Sequence, residues 1–397
     1  MAIDFLSEAH ALQSQLIEWR RDFHTYPELG FQEYRSSGRI AECLQAWGYE
    51  VQTGIAQTGV VGLMRGGSPG PIVMLRFDMD ALPIVEENAV PYRSQNAGVM
   101  HACGHDAHMA IGLGVAKLVA EWRANLNGAV KIVFQPGEEG LNGAEVMVNE
   151  GVLENPRPSI FLSVHVWSDL PTGRVAVSPG PVMAAAERWS CMVHGKGGHG
   201  ALPNQTVDPV VAAAQIVTAL QTIVSRNVSP LDTAVVTVGT LHGGDAFNII
   251  PSRVEMSGTV RTFDPAVRVT VLERLRQIVE GVGEACGTHV DLEIVPLTPA
   301  LSNDPGVTEV VRDVVETMLG SDCLSADVRT MGSEDAAFFT REIPGCYIFL
   351  GASDASRGLD RPHHNPSFDI DESALVLGVA ILTNALGRYV FSDESDR

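Results

Sequence analysis

The chain is organised around the stretch Met100–His108, which reads MHACGHDAH. Three histidines, one cysteine and one aspartate lie in its last eight positions, although the whole chain of 397 residues has only 12 histidines and 6 cysteines. Imidazole and thiolate groups are the side chains that hold Zn²⁺ and similar borderline metals. The stretch therefore predicts a metal site, and the working hypothesis is a metal hydrolase built around it.

The composition indicates a globular protein that is too long for one hydrophobic core. Cores usually stop growing near about 250–300 residues, so a chain of 397 residues predicts two domains. No apolar run reaches the roughly 20 residues that a membrane span needs. The net charge of −21 argues against a nucleic-acid partner, because contact with phosphates needs basic patches.

The N-terminal residues and the cysteines indicate the cellular compartment of the protein. Met1–Phe5 lacks the basic and apolar regions of a signal peptide. The six cysteines are widely scattered and suggest no disulfide framework, so we expect reduced thiols. Both features favour a cytoplasmic protein.

Ligand-type residues follow several predicted strands. Short apolar runs bounded by glycine or proline predict buried strands at Val60–Met64, Ile72–Phe77, Val130–Phe134, Ile160–Val166 and Cys346–Leu350. Asp78 and Asp80 follow the second run. Glu138 and Glu139 follow the third, and His165 lies near the end of the fourth. Open α/β sheets keep their active sites at the carboxyl ends of strands, so we expect these residues to meet.

Helical spacing of apolar residues predicts one helix over residues 4–24 and another at Ala110–Trp122, directly after the histidine-rich stretch. Asp106 is a candidate N-cap for the second helix, which would put His105 at the helix mouth. His24 and Glu28, after the first helix, could be ligands. The favoured interpretation is a loop that caps the helix and docks on the core.

The middle of the chain predicts a small α+β unit. A strand, a helix, two strands, a helix and a strand follow each other at Arg188–Val193, Pro209–Val224, Thr233–Leu241, Val254–Thr262, Val267–Ala285 and Thr288–Val295. This order is that of a ferredoxin-like sandwich. The expected domains are therefore residues 1–186, an insertion at 187–298, and residues 299–397. The glycine-rich loop His194–Pro203 lacks the Gly-Lys-Ser/Thr ending of a phosphate-binding loop, so we discount that function.

The candidate ligands come from distant parts of the chain. They are Cys103, His105, Glu138, Glu139, His165 and either His363 or His364. A structural zinc site usually takes four ligands from short local spacings, and this set is larger and richer in carboxylates. It suits two metals that share a bridging water, with one carboxylate left as a base. That combination is typical of amide hydrolysis.

At this point the sequence resembles the M20 metallopeptidases, and among them the amidohydrolase branch with hippurate hydrolases and indole-acetyl-amino-acid hydrolases. The matching segments span nearly the whole chain in order: RFDMDALP (Arg76–Pro83), MHACGHDAH (Met100–His108), FQPGEEG (Phe134–Gly140), SVHVW (Ser163–Trp167), GKGGHGALP (Gly195–Pro203), FNIIP (Phe247–Pro251), GTVRTF (Gly258–Phe263), GSED (Gly332–Asp335) and HHNPSFD (His363–Asp369). The resemblance implies a mixed-sheet α/β catalytic domain with an inserted ferredoxin-like α+β lid and dimerisation domain.

The resemblance also implies roles for single residues. The metal ligands are expected to be Cys103, His105, Glu139, His165 and His364, with Glu138 as general base and Asp80 and Asp106 as supporting residues. His199 matches a lid histidine that enters the active site of the other subunit. Asn248 and Arg261 match lid residues that hold the substrate carboxylate.

The implied function is a metal-dependent amidohydrolase of N-acyl amino acids, of aminoacylase or hippurate-hydrolase type, which uses a metal-activated water. Two divalent ions per subunit are expected (Zn²⁺, Mn²⁺ or Co²⁺), in a homodimer or dimer-based tetramer with neither nucleic-acid nor membrane partners. A metallo-dipeptidase or carboxypeptidase of the same family is the alternative. A binding protein that lost catalysis would need a broken Glu138 or a missing ligand, and neither is seen.

One segment departs from the wider family. Many M20 peptidases have a His-x-Asp ligand motif where this chain has Asp78-Met79-Asp80. The number of metals therefore cannot be copied from those relatives. Whether Cys103 bridges two metals is also left open by the sequence.

Overall fold

The computed structural model of the protein describes residues 4–325 and 328–391. The signal-peptide expectation, which rests on Met1–Phe5, therefore falls partly outside the described residues. The chain divides into two compact units. The large unit contains the chain up to Gly180, Ser302–Val328 and the residues from Asp335 onward. The inserted unit contains Pro181–Leu301 and Arg329–Glu334.

The helices and strands follow the apolar patterning of the sequence. The helices are α1 (Phe5–Ala11), α2 (Gln13–Thr25), α3 (Tyr34–Ala46), α4 (His105–Glu121), α5 (Glu138–Leu141), α6 (Gly143–Asn149), α7 (Pro209–Thr222), α8 (Pro265–Ala285), α9 (Pro305–Leu319), α10 (Ala337–Thr340) and α11 (Ser373–Val390). The strands are β1 (Glu50–Ile55), β2 (Gly59–Arg65), β3 (Ser68–Asp78), β4 (Asn127–Gln135), β5 (Ile160–Pro171), β6 (Val175–Ala176), β7 (Gly180–Met183), β8 (Ala185–His194), β9 (Gly198–His199), β10 (Ala234–His242), β11 (Ile249–Ile250), β12 (Arg253–Thr262), β13 (His289–Thr298), β14 (Leu301–Asn303) and β15 (Gly345–Ser353).

The large unit is built on a mixed sheet with the strand order β1-β2-β4-β3-β5-β15-β6. Its four middle strands, β4, β3, β5 and β15, are parallel, and the outer pairings are antiparallel. Parallel strands are covered on both faces, which fits the predicted apolar runs at β3, β4, β5 and β15. The apolar run at β2 is buried as well, although β2 is antiparallel to both of its neighbours. Asp78 pairs with Gln135, so the carboxyl ends of β3 and β4 lie side by side.

Helix α4 lies against this sheet and is buried along almost its whole length. Gly112 permits the close approach, because a Cβ atom there would lie 2.6 Å from the Phe77 ring and 2.8 Å from the Phe134 ring. Helix α11 packs on α4 as well. By length and apolar composition α11 could cross a membrane, but 67 % of it is buried in the protein core.

Two helix predictions need correction. The single helix predicted over residues 4–24 is interrupted at Leu12, and α2 begins at Gln13. The predicted N-cap of α4, Asp106, is wrong, because the cap position is Gly104 in a left-handed conformation (φ 89°). Asp106 lies in the first turn of the helix and is turned into the core, where Arg20 binds it.

The inserted unit has a four-stranded antiparallel sheet with the order β10-β12-β8-β13. If these four strands are numbered in chain order, their order across the sheet is 2-3-1-4. With the helix α7 after the first strand and α8 after the third, this is the ferredoxin-like arrangement. The helices cover one face, where Trp189, Val254 and Leu275 are buried.

Candidate metal centre

The carboxyl edge of the parallel strands brings the predicted ligands together. Three groups have ligand atoms that all lie within 4.8 Å of one another: Cys103 with His105 and His165, Cys103 with Glu139 and His364, and His105 with Glu138 and Glu139. All six residues predicted as ligands or base are members of these groups. Because the groups share Cys103, His105 and Glu139, they form one continuous cluster.

His105 is oriented by the loop after β3. Its Nδ1 donates a hydrogen bond to the Asp80 carbonyl oxygen at 2.8 Å. Its Nε2 is buried and has no hydrogen-bond partner among the described residues. A histidine whose one nitrogen is fixed by a carbonyl presents the lone pair of the other, as metal-binding histidines do.

Cys103 and His165 face each other across the cluster. The Cys103 Sγ lies 3.6 Å from the His165 Nε2. The His165 Nδ1 donates to the Val166 carbonyl oxygen at 2.7 Å, which leaves Nε2 as the unprotonated nitrogen. Burial and the neighbouring His108 lower the pKa of His165, so its neutral form is favoured. Gly104, which follows Cys103 in the chain, packs closely on the strand of His165, since a Cβ atom there would lie 2.3 Å from the Val166 side chain.

Glu138 and Glu139 have different hydrogen-bond and ion-pair partners, although their carboxylates lie within 4.8 Å of each other. Helix α5 is interrupted by Glu139 (ψ 72°) and Gly140 (φ 75°). The Glu139 N–H donates to Asp80 Oδ2 at 2.9 Å, and its carboxylate lies 3.3 Å from the His364 Nε2. The Glu138 carboxylate instead accepts from the Asp335 N–H at 3.5 Å.

The structure distinguishes the two neighbouring histidines. His364 has a left-handed backbone (φ 65°), its N–H donates to the Ala102 carbonyl at 2.8 Å, and its ring stays 54 % exposed. His363 uses both ring nitrogens elsewhere, since Nε2 donates to the Val166 carbonyl and Nδ1 contacts the Ser168 hydroxyl. Burial lowers the pKa of His363 to about 4. Of these two histidines, it is therefore His364 that presents a nitrogen to the cluster.

A buried hydrogen-bond network supports the centre from below. The Val166 N–H donates to His108 Nε2 at 2.9 Å, so the other nitrogen, Nδ1, donates to Asp78 Oδ1 at 2.5 Å. Arg76 in turn donates to Asp78 at 2.8 Å and to Asp335 at 3.0 Å. Burial raises the pKa of Asp78, but the attraction of His105, His108 and Arg76 outweighs burial and holds this pKa well below the usual value.

The cluster fits a divalent cation in its chemistry. The carboxylates around His105 raise its pKa well above the ordinary value although burial acts to lower it. A site that stabilises a proton in this way also attracts a metal ion. Burial and the Glu139 carboxylate raise the pKa of the Cys103 thiol, so its thiolate form needs a cation beside it.

Asp106 lies close in sequence but binds other partners. Its Oδ2 accepts from Arg20 Nε at 2.8 Å and from His24 Nδ1 at 2.7 Å. Burial raises the pKa of Asp106, and the charges of Arg20 and His24 more than reverse this, so the group is ionised. The two ring nitrogens of His24 bind Asp106 and Glu86, which lie outside the ligand cluster.

The predicted residues of the inserted unit fall at two separate places. His199 and Asn248 are neighbours on a small β ribbon, where the Gly200 N–H donates to the Asn248 carbonyl at 2.8 Å. His199 is exposed, and its Nδ1 accepts from the Ala201 N–H at 3.0 Å, which leaves the proton on Nε2. Arg261 instead donates to the Ser333 hydroxyl at 2.7 Å.

The strand register separates these two places. Arg261 pairs with Ala186 on β8, and the same two strands continue to the pair Arg253–His194. The eight residue steps from Arg253 to Arg261 span roughly 27 Å at about 3.4 Å per residue. The ribbon with His199 lies beyond that end of the ladder. His199 and Arg261 of one inserted unit therefore cannot contact the same small molecule.

Comparison with known proteins agrees with this geometry. The family model of Peptidase family M20/M25/M40 matches residues 74–388, which is most of the chain. The chain belongs to this M20 family. An N-acetyl-L-cysteine deacetylase of Bacillus subtilis is 38 % identical over 97 % of this chain and 91 % of its own length. Thermostable carboxypeptidase 1 of Saccharolobus solfataricus is 37 % identical, over 98 % of each chain.

A solved M20 structure shows the same fold. It is that of the Bacillus subtilis YXEP protein, a dinuclear metal binding peptidase from the M20 family. It superposes with a TM-score of 0.83 and 32 % identity, and covers 95 % of this chain and 98 % of its own. The mixed-sheet α/β fold expected for an M20 chain is therefore confirmed.

Several supporting residues of this M20 chain were not assigned from the sequence. Arg76, Gln135 and Asp335 form one buried hydrogen-bond network, in which Gln135 donates to Asp335 at 2.8 Å. All three lie in segments that were quoted for the family resemblance. The signal that could have identified them is a charged or polar residue next to an apolar run within such a segment. Glu33, described below, lies outside those segments and had no such signal.

Proposed function

We propose that this chain is a metal-dependent amidohydrolase that cleaves the amide bond of N-acyl amino acids. The Glu138–Glu139 pair is the observation that carries the proposal. One carboxylate of the pair faces His364 within the Cys/His cluster, while the other stays beside it. A centre with one carboxylate as ligand and one as base is suited to hydrolysis of an amide. Similarity to an N-acetyl-L-cysteine deacetylase supports this class of substrate.

Two divalent ions would be held by Cys103, His105, Glu139, His165 and His364. Zn²⁺, Mn²⁺ and Co²⁺ all suit a set of thiolate, imidazole and carboxylate ligands. When bound, such ions lower the pKa of water and polarise the scissile carbonyl. Similarity to a dinuclear metal binding peptidase supports the count of two.

Glu138 would act as the general base. Its carboxylate lies within 4.8 Å of His105 and Glu139 ligand atoms, close enough to take a proton from a water at the centre. The protonated acid would then give the proton to the leaving amine. Asp80 would hold His105 and Glu139 in fixed positions relative to each other. Its carbonyl oxygen accepts from the His105 ring, and its carboxylate accepts from the Glu139 N–H.

The substrate carboxylate would be held by Arg261 and Asn248, and His199 would donate from Nε2 to the developing oxyanion. The separation of His199 from Arg261 in one inserted unit supports contributions from two subunits. We therefore propose a homodimer, alone or within a tetramer, in which His199 and Asn248 serve the partner's centre. A cytoplasmic location belongs to the same proposal.

The base assignment is tested by Glu138→Gln. We expect this variant to bind metal as the wild type does and to lose most of its turnover, measured by metal analysis and by amide hydrolysis. Turnover near that of the wild type would exclude Glu138 as the base. His199→Ala should also lower kcat and keep the metal.

Mixing the two inactive variants tests the assignment across subunits. After subunit exchange, a mixed dimer of Glu138→Gln and His199→Ala chains has one centre with both residues intact, so some activity should return. Exchange that is verified by mass spectrometry without recovered activity would contradict the proposal.

The second candidate is a metallo-dipeptidase or carboxypeptidase, which the similarity to thermostable carboxypeptidase 1 favours. It would use the same centre and differ in the acyl pocket. A panel of N-acetyl and N-benzoyl L- and D-amino acids against free-amine dipeptides, with each metal restored in turn, separates the two. Preference for the dipeptides would replace the main proposal.

A further inference from the structure

Glu33 is a buried carboxylate that lies behind the loop with Glu138 and Glu139. It is fully buried at the N-terminus of α3. One oxygen accepts from the Gly137 N–H at 3.0 Å, and the other accepts from the Thr58 hydroxyl at 2.5 Å. Both of these hydrogen bonds join the Glu33 carboxylate to residues outside α3, so Glu33 connects parts of the chain that are far apart in sequence.

Gly137 is the last residue before the carboxylate pair, and its conformation is restricted. It has a left-handed backbone (φ 60°), and a Cβ atom there would lie 3.1 Å from the Phe31 ring. Phe31 itself has φ 61°, an unfavourable value for a residue with a side chain. Strain of this kind persists where the surroundings fix the backbone. The loop start is therefore fixed by the segment that contains Glu33.

The same segment also contacts the loop with Asp80. Leu29 forms a parallel β-bridge with Ala81, and the Ala81 N–H donates to the Glu28 carbonyl at 2.8 Å. Residues 28–33 thus join the loop after β3 to the loop after β4. These are the two loops whose contact, from the Glu139 N–H to Asp80, organises the centre.

We infer that Glu33 is a positioning residue, which holds the Glu138–Glu139 pair at the metal centre through the Gly137 N–H. The inference rests on the proposed function for the meaning of that pair. The hydrogen bonds of the Glu33 carboxylate go to Gly137 and Thr58, and neither residue is a ligand candidate. We therefore expect its effect to depend on the reach of its side chain to Gly137 more than on its charge.

Two conservative variants separate reach from charge. Glu33→Gln loses the charge, but its carbonyl oxygen still reaches the Gly137 N–H and its amide can donate to the Thr58 hydroxyl. Glu33→Asp keeps the charge and is shorter by one methylene, so it cannot bind both partners in place. Thr58→Val is the matched control, because it removes the other hydrogen bond of Glu33 and leaves Gly137 bonded.

The variants are compared with metal saturated, by kcat and KM on an N-acyl amino acid, and by hydrogen exchange of the peptide that covers residues 137–143. For Glu33→Asp we expect kcat to fall about 10- to 100-fold with KM little changed, since small displacements of reacting groups have effects of this size. Amide exchange in residues 137–143 should rise. Glu33→Gln and Thr58→Val should stay close to the wild type in both measurements.

Opposite results would overturn the inference. If Glu33→Asp keeps its turnover and its exchange protection, Glu33 does not position the loop. If Glu33→Gln loses turnover as Glu33→Asp does, the charge is what matters. The exchange measurement needs no substrate. It therefore still decides the role of Glu33 if the wild type proves inactive on N-acyl amino acids. That inactivity would count against the proposed function alone.

Discussion

Replacing Arg76 with methionine tests the buried network that supports the candidate centre. The Arg76 guanidinium donates to Gln135 at 2.6 Å, to Asp78 at 2.8 Å and to Asp335 at 3.0 Å, with every side chain buried. Methionine fills a similar volume without the charge. The change therefore leaves two buried carboxylates without their shared cation.

The size of the effect follows from the partners that remain. Removing one member of a buried ion pair costs about 3–5 kcal/mol. Asp78 keeps its bond from His108, and Asp335 keeps those from Gln135 and the Ala144 N–H, so the lower end applies. A loss of about 3 kcal/mol corresponds to a fall in Tm of about 6–12 °C for a domain of this size.

The effect must depend on pH with a defined sign. The folded-state pKa of Asp78 is depressed, so Asp78 contributes stability above its unfolded pKa and loses that contribution as pH falls through the folded value. Arg76 is one cause of the depression. The difference in Tm between wild type and Arg76→Met should be full at pH 7.5 and shrink as the pH approaches the range where carboxylates protonate.

Calorimetry of the metal-free proteins provides the measurement. Arg388→Met is the matched control, because Arg388 forms an exposed ion pair with Asp313 that is worth at most about 1 kcal/mol. The double variant Arg76→Met/Asp335→Asn removes the charge of one of the two carboxylates that lost Arg76 and should recover part of the loss. A fall in Tm no larger than that of Arg388→Met, or one that does not change with pH, would refute the reasoning.

Further expectations concern packing, titration and metal. Gly112→Ala should lower the free energy of unfolding by about 1–3 kcal/mol in urea titrations, because the added methyl overlaps Phe77 and Phe134. Gly281→Ala is the control: no atom of the described residues lies near the added methyl on α8, so this change should stabilise the protein slightly. Burial raises the pKa of Glu33 to about 7, so the folded chain keeps a proton that the unfolded chain releases, and stability falls between about pH 4.5 and 7. Glu33→Gln should remove that fall, at most roughly 3 kcal/mol, which a plot of Tm against pH would show. Chelation should lower the Tm of the metal-loaded protein. At a 100-fold excess of metal over Kd, bound metal contributes about 2.7 kcal/mol to the free energy of unfolding, and readdition of metal should restore the Tm in a thermal shift assay.

Local patterns were sufficient to predict the parts of the fold that depend on local burial. The apolar runs that became β2 to β5 and β15 are buried on both faces, so periodicity and glycine boundaries marked them. The strand β1 was not predicted, because most of it is exposed and it lacks a continuous apolar run. The break at Leu12 was missed for a different reason, since the apolar spacing continues across it.

The ligand cluster could be anticipated because most ligand candidates lie near the end of a predicted apolar strand or at the start of α4. Choices between adjacent residues depended on tertiary contacts. His363 and His364 have the same chemistry, and the Val166 carbonyl and Ser168 decide which one turns inward. Asp106 has the residue type and position of a cap, but a buried Arg20 from a distant helix attracts it into the core. No spacing within one segment contains that information.

The discontinuity of the large unit has a consequence for biosynthesis. Strand β5 pairs with β15 in the middle of the sheet, and β15 is made only after the whole stretch Pro181–Leu301 has left the ribosome. The inserted unit has nearly all of its sheet within one contiguous segment, so it can fold while β5 still has an unpaired edge. Such edges recruit other chains. A nascent chain that has exposed all of Pro181–Leu301 but not yet β15 should therefore carry a folded inserted unit joined to an aggregation-prone partial sheet.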